Sequence, residues 1–339
     1  MKKLLRYLIF TLVGILVLAV VFMAISPKNM TFKANETIEA PPHMIYNMVN
    51  DFKQWEEWST AKDLDPDIVN TYSDNTTGDG AQWTWKGNEK VGAGTREIIE
   101  SLVGKSIKTE IVFEGWDAVS NEEWEISQDG KKTKVSWEYR GADTSFPFRP
   151  FNILMKGGYK KTYKNSLAKL KEIAEQRASK KIYRGFKIND LILKEKHYLM
   201  SRQEVKLTNI QQFYAQNLGA LFLKAQNAKL IMDGMPSGLF FNLDEKSSVM
   251  DMAAAIPIAE PKNIERASLL TIPEGRALQI DFFGDYSGTT SAHLAIEDYI
   301  KDYGLFKNQP VVEEYVTDPG EEKDPSKWLT KISYYISEN

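Results

Sequence analysis

The chain has 339 residues, 42% of them hydrophobic and 26% charged, a composition that supports globular domains and excludes wholesale disorder. A formal net charge of −3, with no lysine- and arginine-rich block interleaved with aromatics, gives no electrostatic reason to expect nucleic acid as a partner. Cysteine is absent, which excludes disulfides, thiolate metal sites and a cysteine nucleophile.

The first element is the uncharged run from Tyr7 to Ile25, preceded by Lys2, Lys3 and Arg6. As a helix it matches the thickness of a bilayer core. A cleaved signal peptide is the alternative reading, but the best small-residue site, Ala24-Ile25-Ser26, is followed by Pro27, which disfavours cleavage. Residues 1–30 therefore read as a transmembrane anchor and spacer. The cationic cluster before the span keeps the N-terminus cytoplasmic and sends the remaining chain to the periplasm or cell exterior of a bacterial host, as a single-pass protein.

Residues 31–177 read as one unit with helices at its ends and strands between. Phe32 to Ala40 is a strand, Pro41-Pro42 opens a helix through Asn50, and a second short helix covers Phe52 to Ser59. Six strands follow: Ile68 to Tyr72, Ala81 to Lys86, Gly94 to Ser101, Ser106 to Phe113, Val119 to Gln128 and Lys131 to Arg140. Turn signals such as Gln128-Asp129-Gly130 make these antiparallel hairpins. A long helix, Ile153 to Arg177, closes the unit, with Tyr163, Leu167, Leu170 and Ala174 on one face.

Residues 178–190 are charged and read as a linker or edge element, and a second domain occupies 191–339. Its elements repeat in order. Leu191 to Val205 (strand), Thr208 to Ala228 (helix), Gly238 to Leu243 and Met250 to Ile258 (strands) are followed by Ala267 to Phe283 (strand), Thr289 to Tyr303 (helix), Val311 to Thr317 and Trp328 to Ile336 (strands). The fold class is α+β, with a duplicated β-α-β-β second domain and a ligand expected near the junction of its halves.

Catalytic and cofactor motifs are scarce. His43, His197 and His293 lack a second metal ligand at helical spacing and read as surface or capping residues; no metal or cofactor is expected. Gly284 to Gly288 places Ser287 outside a nucleophile-elbow pattern. Trp83 and Trp85 share one strand face, as do Val135, Trp137 and Tyr139 on another. These rings either wall a cavity or form a close-packed core, and parity leaves both readings open.

Four segments, "MVNDFKQWEEWSTAKDLDP", "GDGAQWTWKGNEKVGAGTREI", "KKTKVSWEYRG" and "SLAKLKEIAEQ", resemble in order and spacing the START-like polyketide cyclase/dehydrase superfamily (SRPBCC). The resemblance implies a helix-grip fold, an antiparallel sheet curled around a long C-terminal helix with an apolar pocket between them; on the cavity reading of the strand faces, Trp83, Trp85 and Trp137 are its ligand-binding residues. No acid and base pair is evident inside that pocket.

The second domain resembles the GyrI-like small-molecule-binding domain, also found as the effector-binding module of bacterial multidrug-responsive activators. The carrying residues are "MPSGLFFNLDE", "MDMAAAIPI", Gly284-Asp285-Tyr286, "EEYVTDP" and "WLTKISYYI"; the helix-turn-helix of such activators is missing from the sequence given. On a strand, Glu313 and Glu314 point to opposite faces, so one is expected in water. The resemblance implies that Glu313, with Tyr315, Tyr286 and Trp328, lines a cleft for a cationic amphipathic guest, because a carboxylate and aromatic faces both attract cations. Pairing of Glu313 with a lysine or arginine, or its capping of a turn, is the competing reading. The whole is expected to bind or sense small hydrophobic or cationic molecules; a hydrolase with Glu313 as base, or an interaction protein with filled cores, are the alternatives.

Overall fold

The computed structural model describes residues 2–116 and 118–337, so the last two residues of the second domain lie outside the described part. The chain divides into two compact units between Ser179 and Lys180.

In the first unit, α1 (Lys2–Ile25) contains the stretch Lys3–Ile25, in which an 18-residue window has a mean hydropathy of 3.1 and none of it is buried. By length and composition this helix can cross a membrane or act as a signal sequence. There follow β1 (Thr31–Ile38), α2 (Pro42–Asn50), the one-turn helices α3 (Trp55–Trp58) and α4 (Ala61–Leu64), then β2 (Val69–Tyr72), β3 (Gln82–Lys86), β4 (Ala93–Leu102), β5 (Ser106–Phe113), β6 (Val119–Asp129), β7 (Lys132–Arg140) and α5 (Pro150–Lys180). The strands form one antiparallel sheet in the order β1-β7-β6-β5-β4-β3-β2. β1 returns to pair with β7, setting Ala34 opposite Trp137.

Alternation along the strands decides which side chains reach the interior. β6 buries Ser120, Glu122, Trp124 and Ile126, and β7 buries Thr133, Val135, Trp137 and Tyr139. α5 turns Tyr163, Ser166, Leu167, Leu170 and Ala174 inward, and the Tyr163 ring meets Trp137 at 3.9 Å between centroids. This is the helix-grip arrangement. α5 extends three residues beyond the expected span at each end; at its start, proline at position 150 is suited to a first helical turn.

The second unit contains β8 (Ile182–Tyr183), β9 (Phe186–Lys187), β10 (Asn189–Leu193), β11 (Lys196–Lys206), α6 (Ile210–Asn227), β12 (Ser237–Asp244), β13 (Val249–Ile258), β14 (Ser268–Ile272), β15 (Gly275–Phe283), α7 (Thr289–Tyr303), β16 (Phe306–Lys307), β17 (Val311–Tyr315) and β18 (Leu329–Ser337). The main sheet runs β10-β15-β18-β17-β12-β13-β11-β14, with β16 beside β18. Two β-α-β-β halves, β11-α6-β12-β13 and β15-α7-β17-β18, thus meet where β12 pairs with β17.

Two single strands expected from sequence are each two. Leu191 to Val205 breaks at the charged Lys194-Glu195, and Ala267 to Phe283 breaks at Pro273-Glu274, where proline cannot donate to a ladder. The charged stretch before the domain carries the β8–β9 hairpin, whose Tyr183 is buried against α7 and donates a hydrogen bond to Asp302 at 3.0 Å. α7 has the expected bounds and packs Ala292, Ala295, Ile296 and Tyr299 inward. Gly304 ends it at φ 60°, the left-handed conformation that glycine adopts without a side-chain penalty.

Candidate functional site

β17 supplies the centre of the site. Glu313 points inward and is 6% exposed, whereas Glu314 points to the other face. Glu314 is not simply in water: it is half-buried and accepts from Lys196 Nζ at 3.2 Å and from the Met235 amide at 3.3 Å. Opposite Glu313 in the ladder stands Gly238 of β12. The missing side chain there is what admits the tyrosines, since a Cβ on Gly238 would sit 2.1 Å from the Tyr214 hydroxyl and 2.8 Å from that of Tyr315.

Glu313 has a basic neighbour, but it is a histidine and not the lysine or arginine of the competing reading. Its Oε1 lies 2.6 Å from His293 Nε2, and its Oε2 accepts from the Tyr315 hydroxyl at 2.9 Å. The Tyr214 hydroxyl is 3.1 Å from that of Tyr315. A phenol has one proton, so with Tyr315 donating to Glu313 it is Tyr214 that donates to Tyr315. His293 Nδ1 is 2.9 Å from the Tyr334 hydroxyl. With its proton on Nε2, His293 donates to the carboxylate and leaves Nδ1 to the Tyr334 hydroxyl.

Burial holds these phenols in their protonated form. The Tyr315 hydroxyl is pushed well above the ordinary phenol range by burial and then by the Glu313 charge; burial raises Tyr214 and Tyr334 too. They act as fixed donors. A carboxylate offers about four lone-pair sites, of which two are used by His293 and Tyr315. These two contacts leave part of the acceptor capacity of Glu313 unused.

Aromatic rings continue from the carboxylate. Tyr315 stands edge-on to Tyr286 at 5.2 Å, Tyr286 packs on Trp328 at 5.2 Å, and Tyr214 meets Tyr315 at 5.7 Å. Tyr286 and Trp328 are half-buried, and each is tethered through its polar atom: the Tyr286 hydroxyl to the Thr317 carbonyl at 3.4 Å and Trp328 Nε1 to the Glu322 carbonyl at 2.9 Å. Glu313, Tyr315, Tyr286 and Trp328 are thus one cluster. Sequence reasoning missed His293, Tyr214, Tyr334 and Gly238. Of these, His293 was readable in part, because it stands three residues before Ile296 and seven before Ile300 on the inward side of α7.

In the first unit, Trp83, Trp85 and Trp137 belong to a close-packed interior. Trp137 stacks on Trp124 at 4.1 Å, Trp83 lies 5.2 Å from Trp85 and 5.7 Å from Trp55, and Trp55 lies 4.5 Å from Trp58. The contacts are those of a filled core; beside Trp55 and Trp83 is a cavity of about 10 Å³, the space of one water. His43 and His197 stand apart from both clusters, His197 bonded to Thr271 at 2.9 Å and His43 facing Gly104.

The interior of the first unit also encloses an ion pair that sequence reasoning did not single out. Glu122 of β6 is fully enclosed and accepts from Thr109 Oγ1 at 2.9 Å, from Arg96 Nη2 at 3.2 Å and from the Tyr163 hydroxyl. Arg96 Nε stands 3.0 Å from Oε2, outside hydrogen-bond alignment. The guanidinium lies over the rings of Trp55, Trp83 and Trp85 at 4.5, 5.1 and 5.6 Å. Strand parity carried the signal, since Arg96 shares its face with Ile98 and Glu122 with Trp124.

Residues 30–175 match the family described as polyketide cyclase/dehydrase and lipid transport, and residues 191–336 match the GyrI-like small molecule binding domain. The chain joins an SRPBCC domain to a GyrI-like domain. No curated protein matches it. Among solved structures it is similar to the EcmrR C-terminal domain, with 15% identity over 45% of this chain and 99% of that one and a TM-score of 0.41. It is also similar to EcmrR in a complex with DNA, with 14% identity over 58% and 73% and a TM-score of 0.42. A third similar structure is the Aha1 dimer from Colwellia psychrerythraea, with 13% identity over 43% and 96% and a TM-score of 0.34. The SRPBCC and GyrI-like domains are both small-molecule-binding types.

Proposed function

We propose that the GyrI-like domain binds a cationic amphipathic molecule, whose charge sits against Glu313 and whose apolar body lies along Tyr315, Tyr286 and Trp328. The observation that carries this is a 6% exposed carboxylate with two hydrogen-bond donors and no lysine or arginine partner, set at the end of a run of rings. A buried anion left short of compensation gains more from a cation than an exposed one does. The SRPBCC domain would take an apolar guest beside Trp55 and Trp83 only if those rings move. α1 anchors the chain in a membrane, with both domains on the non-cytoplasmic side, and the net charge of −3 favours a small molecule over nucleic acid as the partner. In this arrangement the START-like domain spans residues 31–177 and the GyrI-like domain 191–339.

The test compares a tetraarylphosphonium cation with a neutral triarylphosphine oxide, titrated against the full chain and its Glu313→Gln variant. The substitution is expected to weaken the cation tenfold or more, about 1.4 kcal/mol, and to leave the neutral compound within twofold. Equal losses for both would refute the reading.

A second reading, hydrolysis, draws on the 2.6 Å contact between His293 and Glu313, a base oriented by a carboxylate. Against it, Nδ1 of the same ring is engaged by Tyr334, so no ring nitrogen is left to take a proton from water. Binding is therefore the function proposed.

A further inference from the structure

α1 ends at Ile25, and the chain that leaves it is held by the loop before α5 and by its first turn. Asn152 Nδ2 donates to the Pro27 and Lys28 carbonyls at 2.9 and 3.1 Å, the Thr144 amide donates to the Lys28 carbonyl at 2.7 Å, and Asn29 Nδ2 donates to Asp143 at 3.1 Å. Ser26 is buried at this junction. The segment from Asp143 to Asn152 is therefore fixed at the point where α1 leaves off.

That segment and the helical turn after it carry apolar side chains facing outward. Phe148 is 57% and Leu154 70% exposed, and Phe146, Phe151, Ile153 and Met155 are exposed as well. On α5, Phe151, Leu154 and Met155 follow the three- and four-residue spacing of one helix face. From Thr144 to Lys164 the sequence has no aspartate or glutamate and five cations: Arg149, Lys156, Lys160, Lys161 and Lys164. Aromatic and aliphatic tips beside an acid-free run of lysine and arginine are the composition of a surface that seats at a membrane interface. A contiguous exposed patch of this kind calls for something to cover it.

We propose that Phe146 to Met155 is a second membrane contact, seated among the headgroups and upper acyl chains of the bilayer that α1 crosses, with the neighbouring lysines toward lipid phosphates. The first unit then lies on the lipid surface rather than swinging from its anchor. This rests on the reading of α1 as a membrane span.

Because the chain has no cysteine, single labels can be placed without removing native thiols. The full chain is reconstituted in nanodiscs of phosphatidylethanolamine and phosphatidylglycerol, carrying a spin label at Leu16→Cys, Phe148→Cys, Leu154→Cys or Val69→Cys. All four positions are exposed, so labelling disturbs no core packing. The oxygen-to-nickel-chelate accessibility ratio is expected to be several-fold higher at positions 16, 148 and 154 than at Val69. A lipid signal at Leu16 with water-like values at Phe148 and Leu154 would overturn the proposal while sparing the anchor. Water-like values at Leu16 would overturn both. Dipolar broadening between labels at position 148 or 154 would assign the patch to a second copy of this chain, and would also overturn it.

Discussion

Gly238 shows how one position can set a site. Its place opposite Glu313 leaves room for the Tyr214 and Tyr315 hydroxyls, and Gly238→Ala would drive a methyl into the Tyr214 oxygen. Overpacking of this kind costs about 1–3 kcal/mol, so thermal denaturation of Gly238→Ala should show a lowered Tm, and Tyr214→Phe in the same background should recover part of it. An unchanged Tm would mean the tyrosines move aside freely. Arg96 and Glu122 are the corresponding pair in the first unit. Arg96→Met leaves a buried carboxylate without its cation, which costs about 3–5 kcal/mol, whereas the double variant Arg96→Met, Glu122→Leu should regain most of the loss in urea unfolding. If the double variant is as unstable as the single one, packing on the tryptophans, and not charge, is what Arg96 provides.

At the level of elements, legibility followed periodicity. α7 was readable to its bounds because its apolar face and terminal glycine agree, and the strand faces of Trp83, Trp85 and Trp137 followed from parity. The split of Leu191 to Val205 at Lys194-Glu195 was less legible, because apolar residues flank the break on both sides. What no single element could show was which residues meet across the sheet. Glu313 and His293 are twenty positions apart and come together only because β17 lies centrally in the sheet, where α7 packs across it. Arg96 and Glu122, on β4 and β6, meet across β5 in the same way. The direction of Glu313 could therefore be read from its strand, whereas its partner could not.

For the whole molecule, buried phenols predict an alkaline limit. Burial raises the folded-state pKa of Tyr163, Tyr214 and Tyr315 above that of the unfolded chain. Their stabilisation is complete below the unfolded value of about 10 and is lost as pH rises past it, since only the unfolded chain then releases those protons. Urea midpoints should be steady in the neutral range and fall beyond about pH 10; a midpoint that rises there would contradict this assignment. Where a guest's charge lies is settled by a crystal structure of the full chain with the phosphonium probe bound. The cationic centre is expected beside the Glu313 carboxylate, with aryl groups on Tyr286 and Trp328. A probe bound elsewhere, with the Glu313 cluster unchanged and unoccupied, would contradict it.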